Sequence, residues 1–103
     1  SGGNQQKLVV GKWLHRRPSI LLMDEPTRGI DVGAKAEMFA VMRKLADDGM
    51  AIVMVSSELE EVVEVADRVL VLAKGRQVAL LERSEASLQR VVNLAFAVEG
   101  EAA

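Results

Sequence analysis

Two carboxylates stand side by side, Asp24 and Glu25, where the apolar run "ILLM" ends in "SILLMDEPTRGID". A short apolar run of this kind reads as a buried strand. Acids at its carboxyl end would sit on the edge where open parallel sheets bind their ligands. Adjacent carboxylates can divide the work of phosphate hydrolysis. One can hold Mg2+, usually through water, because Mg2+ prefers oxygen ligands and keeps part of its hydration shell. The other can accept a hydrogen bond from an attacking water and orient it on a γ-phosphate. Pro26 stiffens the turn that aims both. The competing reading is that two acids end a strand and solvate its turn.

A second stretch offers complementary chemistry. A helix starting at "SGGNQQK" (1–7) would expose unpaired backbone N–H groups and the positive end of its dipole. With no side chains on Gly2 and Gly3, phosphate oxygens could approach that backbone closely, and the Ser1 hydroxyl adds a donor. The alternative is a flexible glycine-rich stretch.

These residues need elements to position them. Residues 1–17 read as a helix capped by Ser1 and ended before Pro18. A second helix spans about 33–48, capped by Asp31 and stopped by Gly49. "MAIVMVS" reads as a buried strand over 51–55. In "SELEEVVEVA", Ser57 followed by Glu60 has the spacing of a capping box at a helix start. "RVLVLAKGRQVALLE" reads as a hairpin turning at Lys74-Gly75. "SEASLQRVVNLAFAV" reads as a helix capped by Ser84, after which "EGEAA" frays. The order strand–helix–strand–helix–strand is that of an α/β protein, and the near-continuous apolar strands imply a parallel sheet covered on both faces. Three strands at most make a fragment of a larger sheet.

Composition narrows the function classes. The chain has 103 residues, half of them hydrophobic and 27% charged, as in a globular domain or a piece of one. Thirteen basic against fifteen acidic residues leave a net charge of -2, which does not suit wholesale nucleic-acid binding. The absence of Cys excludes disulfides and thiolate metal sites. The longest apolar runs fall far short of the roughly twenty residues a membrane-spanning helix needs. Several residues read as structural: His15, Arg16 and Arg17 suit a helix C-terminus, Trp13 a core contact, and Met23, Met38, Met42, Met50 and Met54 apolar filling.

In this order, "SGGNQQK", "LLMDEPTRGID" and "VMVSSELEEV" resemble the ABC-transporter ATPase family: its signature motif (without the usual leading Leu), Walker B, D-loop and switch region. More narrowly, the wording resembles the second, C-terminal nucleotide-binding domain of the fused bacterial importer ATPases for ribose, galactose, xylose and related sugars. The resemblance implies an α/β fragment of a P-loop NTPase (RecA-like) sheet with flanking helices, lacking the phosphate-loop strand. Residues 1–103 would be the C-terminal part of one such domain, with the signature helix at 1–17, Walker B at 20–25, the D-loop at 27–31 and the switch region at 56–58.

Two nucleotide-binding domains of this family pack head to tail with ATP between them. On that pattern Ser1, Gly2, Gly3 and Gln5 face the γ-phosphate of ATP held by the partner domain. Asp24 assists Mg2+ and Glu25 is the catalytic carboxylate. Asp31 is the D-loop Asp linking the two sites, a role compatible with its reading as a helix cap. Ser57 stands where the family's switch His contacts the γ-phosphate, and Glu58 where Asp is usual. Ser is shorter than His and cannot carry a positive charge, which weakens charge stabilisation at this site and suggests an asymmetric pair of sites.

The implied function is an ATP-binding and ATP-hydrolysing subunit that powers sugar import. It would be peripheral on the cytoplasmic face of the inner membrane, with a second nucleotide-binding domain and a membrane permease as partners and no nucleic acid. Two alternatives stay open: an ABC ATPase of DNA repair or translation, and a non-catalytic allosteric or assembly domain. No G-x-x-x-x-G-K-[ST] stretch occurs in the chain, so the fragment by itself is expected to be inactive and to hold neither ATP nor Mg2+. In the family's sheet the phosphate-loop strand lies between the strands read at 51–55 and 69–73. Without it, unpaired edges lead to the expectation that the fragment self-associates.

Overall fold

The computed structural model describes residues 19–102. The helix expected at 1–17, with Ser1, Gly2, Gly3, Gln5, Trp13 and His15, lies outside the described residues. The chain divides into two compact units, one ending at Ser57 and one starting at Glu58.

The first unit is a strand–helix–strand crossover. Strand β1 (Ile20–Asp24) is followed by helix α1 (Val32–Asp47) and strand β2 (Ala51–Val55), which pairs with β1 in parallel. The register runs from Ile20 opposite Ala51 to Asp24 opposite Val55, so both carboxyl ends finish at one edge. Both ends of α1 are specified by sequence. Asp31 has extended backbone and accepts a hydrogen bond from the Ala34 N–H at 2.8 Å, satisfying one of the free donors of the first turn. At the other end Gly49 takes φ +103°, a conformation that penalises any side chain. Its N–H donates to the Ala46 carbonyl and that of Met50 to the Leu45 carbonyl, the paired bonds of a Schellman stop.

Strand alternation sends Leu21, Met23, Ile52 and Met54 to the face that carries α1. Met38 is 1% exposed and Met42 is also buried, with Phe39, Val41 and Leu45 packed around them. The unbranched thioether chains fit the uneven space between a helix and a twisted strand pair. On the opposite face Ile20, Leu22, Val53 and Val55 are exposed.

The second unit begins with the short helix α2 (Leu59–Val65) and continues into strands β3 (Arg68–Ala73) and β4 (Arg76–Glu82). These pair antiparallel through Lys74 and Gly75, both at positive φ, as a two-residue type I′ turn requires. A register shift after Val71 leaves one extra residue on β4. A 3-10 turn (Arg83–Glu85) leads into helix α3 (Leu88–Ala102). Val69, Val71, Leu81, Ala86 and Val91 form the buried core, with α2 supplying Leu59, Val62 and Val63. Leu70, Leu72 and Leu80 point the other way and are exposed.

Several expectations are corrected. The described strands do not form one parallel sheet covered on both faces. They form two separate two-stranded sheets, the second antiparallel, each with an apolar face left exposed. Ser57 does not cap α2, whose N-cap is Glu58 without a side-chain cap bond. Ser84 does not cap α3 either: it sits within the 3-10 turn, and the Ser87 hydroxyl accepts from the Arg90 N–H at 3.1 Å. Helix α3 also continues through residues 99–102, where fraying was expected. The α/β class, the two crossover strands, α1 and the hairpin stand as read.

The methionine cluster yields a stability test. Met38→Ala should lower the unfolding free energy by about 2–4 kcal/mol, whereas Met38→Leu, which keeps the volume, should cost less than about 1.5 kcal/mol. Denaturant midpoints of the two variants check this, and equal costs would contradict the packing described.

Candidate functional site

Parallel pairing brings the ends of β1 and β2 to one edge, and the acids stand on it. Asp24 is the last residue of β1, opposite Val55, and its side chain is exposed. Glu25 follows, half-buried, with φ +49°. A left-handed backbone costs a non-glycine residue about 1–2 kcal/mol, so surrounding bonds must hold it there. The Glu25 N–H donates to the Val55 carbonyl at 2.7 Å, extending the β1–β2 ladder by one bond. The Glu25 carbonyl accepts from the Arg28 N–H at 3.2 Å, closing a turn over the buried Pro26 and Thr27. Pro26 is suited to the position after the turn's first residue. Gly29, at φ +74°, then redirects the chain toward Asp31 and α1.

The Glu25 side chain is gripped as well. The Ser57 backbone N–H donates to Oε1 at 2.7 Å, and the Ser57 hydroxyl contacts Oε2 at 3.3 Å. Both ends of one residue thus reach both oxygens of one carboxylate. The first contact has the length of a charge-assisted hydrogen bond and the second is weak.

Among the residues singled out from sequence, Asp24, Glu25 and Ser57 meet at this edge. The Asp31 carboxylate is engaged at the start of α1, by the Ala34 N–H. Ser1, Gly2, Gly3 and Gln5 lie outside the described residues. Sequence reading missed the Val55 carbonyl and the Ser57 amide as the groups that fix Glu25. The signal for them was the register, since the β1–β2 alignment carries residues 55–57 alongside 24–25.

A single exposed carboxylate could supply one oxygen to a divalent cation whose remaining ligands come from elsewhere. Mg2+ is commonly held by one or two carboxylates plus substrate oxygens, and the exposed Asp24 carboxylate provides one such ligand. No group of three or more His, Cys, Asp and Glu among the described residues could enclose a metal unaided. The Glu25 carboxylate is oriented by two hydrogen bonds from Ser57 and keeps further acceptor positions on its oxygens.

No protein-family model matches the chain. It is 54% identical over 95 residues to a ribose import ATP-binding protein of Bacillus cereus, covering 92% of this chain and 19% of that protein. It is 54% identical over 103 residues to a ribose import ATP-binding protein of Rhodococcus jostii, covering all of this chain and 20% of that one. The chain therefore spans about a fifth of the length of these relatives. Among solved structures, it resembles the ADP conformation of an ATP-binding cassette of an ABC transporter, with a TM-score of 0.79 at 25% identity, covering 91% of this chain and 39% of that one. A nucleotide-free ATP-binding cassette from an ABC transporter shares the fold, with a TM-score of 0.79 at 23% identity over 90% of this chain and 36% of that chain. The α/β fold is thus that of part of an ABC ATPase cassette, a P-loop NTPase fold.

The Asp31 bond carries its own test. Asp31→Ala should cost about 1 kcal/mol through the lost helix cap, and Asp31→Ser should recover most of it. Thermal or denaturant unfolding of both variants decides, and no difference between Ala and Ser would contradict the capping role.

Proposed function

We propose that the chain is part of an ATP-binding, ATP-hydrolysing subunit that powers sugar import through an ABC transporter. The observation that carries this reading is the 54% identity to ribose import ATP-binding proteins, over a span that includes the Asp24–Glu25 edge and Ser57. In the full-length protein Mg2+ would be assisted by Asp24, where it would neutralise phosphate charge. Glu25 would accept a hydrogen bond from the attacking water. Ser1, Gly2, Gly3 and Gln5 would offer donors to ATP held by a second nucleotide-binding domain. Asp31 would add to its capping role a link between the two sites.

The subunit would work docked on a membrane permease at the cytoplasmic face of the inner membrane. Among the described residues no helix is long and apolar enough to cross a membrane. The 103 residues contain no phosphate-loop sequence and by themselves would hold nucleotide too weakly for turnover. The apolar faces around Leu22 and Val53, and around Leu70 and Leu80, together with strand edges that no other described strand pairs, favour self-association of the isolated chain.

Ser57 favours an asymmetric version of this reading over a symmetric one. A hydroxyl cannot place positive charge beside a γ-phosphate, so this domain's own site would turn over slowly while its 1–5 stretch completes a faster site on the other domain. Steady-state ATPase of the full-length protein tests the idea. Gly3→Asp should lower turnover by about a hundredfold, and Glu25→Gln should leave most of it. The reverse ranking would overturn the asymmetry. Co-purification with a permease, rather than with ribosomes or DNA, is expected and distinguishes import from repair or translation. Light scattering of the isolated chain should show mass rising with concentration; a strict monomer across a wide range would contradict self-association.

A further inference from the structure

We infer that the backbone amide of Ser57, more than its side chain, is the group that positions Glu25 for its work. The inference rests on the assignment of Glu25 as the catalytic carboxylate. Two donors from one residue reach the carboxylate, and their lengths are unequal: 2.7 Å from the N–H and 3.3 Å from the hydroxyl. Hydrogen bonds to an ionised oxygen weaken as they lengthen beyond about 2.9 Å, so the amide bond dominates.

The amide is also the better fixed of the two donors. It follows β2 by two residues, and β2 is tied to Glu25 by the bond from the Glu25 N–H to the Val55 carbonyl. The hydroxyl of an exposed Ser can turn to other partners, whereas a peptide N–H is aimed by the chain. The Glu25 backbone is itself held at φ +49° by bonds at its N–H and its carbonyl. Its carboxylate is thus anchored from both ends: at Cα by strand pairing, and at Oε1 by residue 57.

A carboxylate has about four acceptor positions, and the two contacts leave one per oxygen for water. The grip therefore orients Glu25 without using it up. Any residue except proline supplies the same N–H at position 57. The side chain at 57 is then at liberty to vary in its dealings with phosphate, while the orientation of the carboxylate stays unchanged. Ser57 is on this account a positioning residue, acting through Glu25.

The test is single-turnover ATP hydrolysis by the full-length protein, in a background whose other domain lacks its own catalytic carboxylate, so that this site supplies the turnover. Ser57→Pro, which removes the N–H, should lower the rate by about tenfold or more with ATP affinity kept. Ser57→Ala, which removes only the hydroxyl, should lower it by about threefold at most. Glu25→Gln is the reference for full loss. Thermal unfolding identifies a Pro variant that fails to fold, and Ser57→Ala then decides: a small loss supports the amide, and a loss equal to that of Glu25→Gln overturns the inference. Full loss with Glu25→Gln beside an unaffected, folded Ser57→Pro overturns the inference and leaves the assignment of Glu25 intact. Turnover indifferent to Glu25→Gln overturns that assignment, and the positioning role with it.

Discussion

The bond from the Glu25 N–H to the Val55 carbonyl holds the two strand tips together one step beyond the regular ladder, and the geometry of the acidic edge depends on it. Glu25 has a left-handed backbone there, which a non-glycine residue otherwise avoids. That backbone lets the chain turn over Pro26 while the carboxylate remains beside residue 57. Strain of this kind persists only where neighbouring bonds over-determine it. Here the Val55 carbonyl, the Arg28 N–H and the Ser57 N–H all act on the same residue.

The crossover helix is what makes such an edge available. A parallel pair cannot be closed by a tight turn and needs a long connection. Helix α1 provides it, with Asp31 fixing its start and Gly49 its end. Packing of Met38 and Met42 against Met23, Ile52 and Met54 then sets the helix on one face of the strands. On the other face Leu22 and Val53 are exposed. Burial of one face stabilises the unit while the second remains available for further structure.

Asp24 and Glu25 divide in their surroundings as they would divide in chemistry. Asp24 is exposed and can share a hydrated cation. Glu25 is half-buried, with both oxygens contacted by residue 57. Sequence neighbours thus acquire different environments because the strand ends between them. One keeps the pleat of β1, and the other leaves it.

Local elements and the chemistry-bearing residues were legible in the order of amino acids. The apolar run before Asp24, the cap at Asp31, the stop at Gly49 and the Lys74-Gly75 turn all rest on interactions within a few residues, so their residue types announce them. Cap assignments at Ser57 and Ser84 failed for a related reason. Each short-range motif had a competitor: Ser87 lay closer to the start of α3, and Ser57 met an acceptor 32 residues away. No local rule anticipates that second partner, because it exists only once β1 and β2 are paired in register. Folding in three dimensions added the rest: that the described strands form two separate sheets, that each buries one face, and that a backbone amide holds the second acid. Strand pairing and burial are set by contacts between distant segments, and side-chain types constrain them only through the packing they permit.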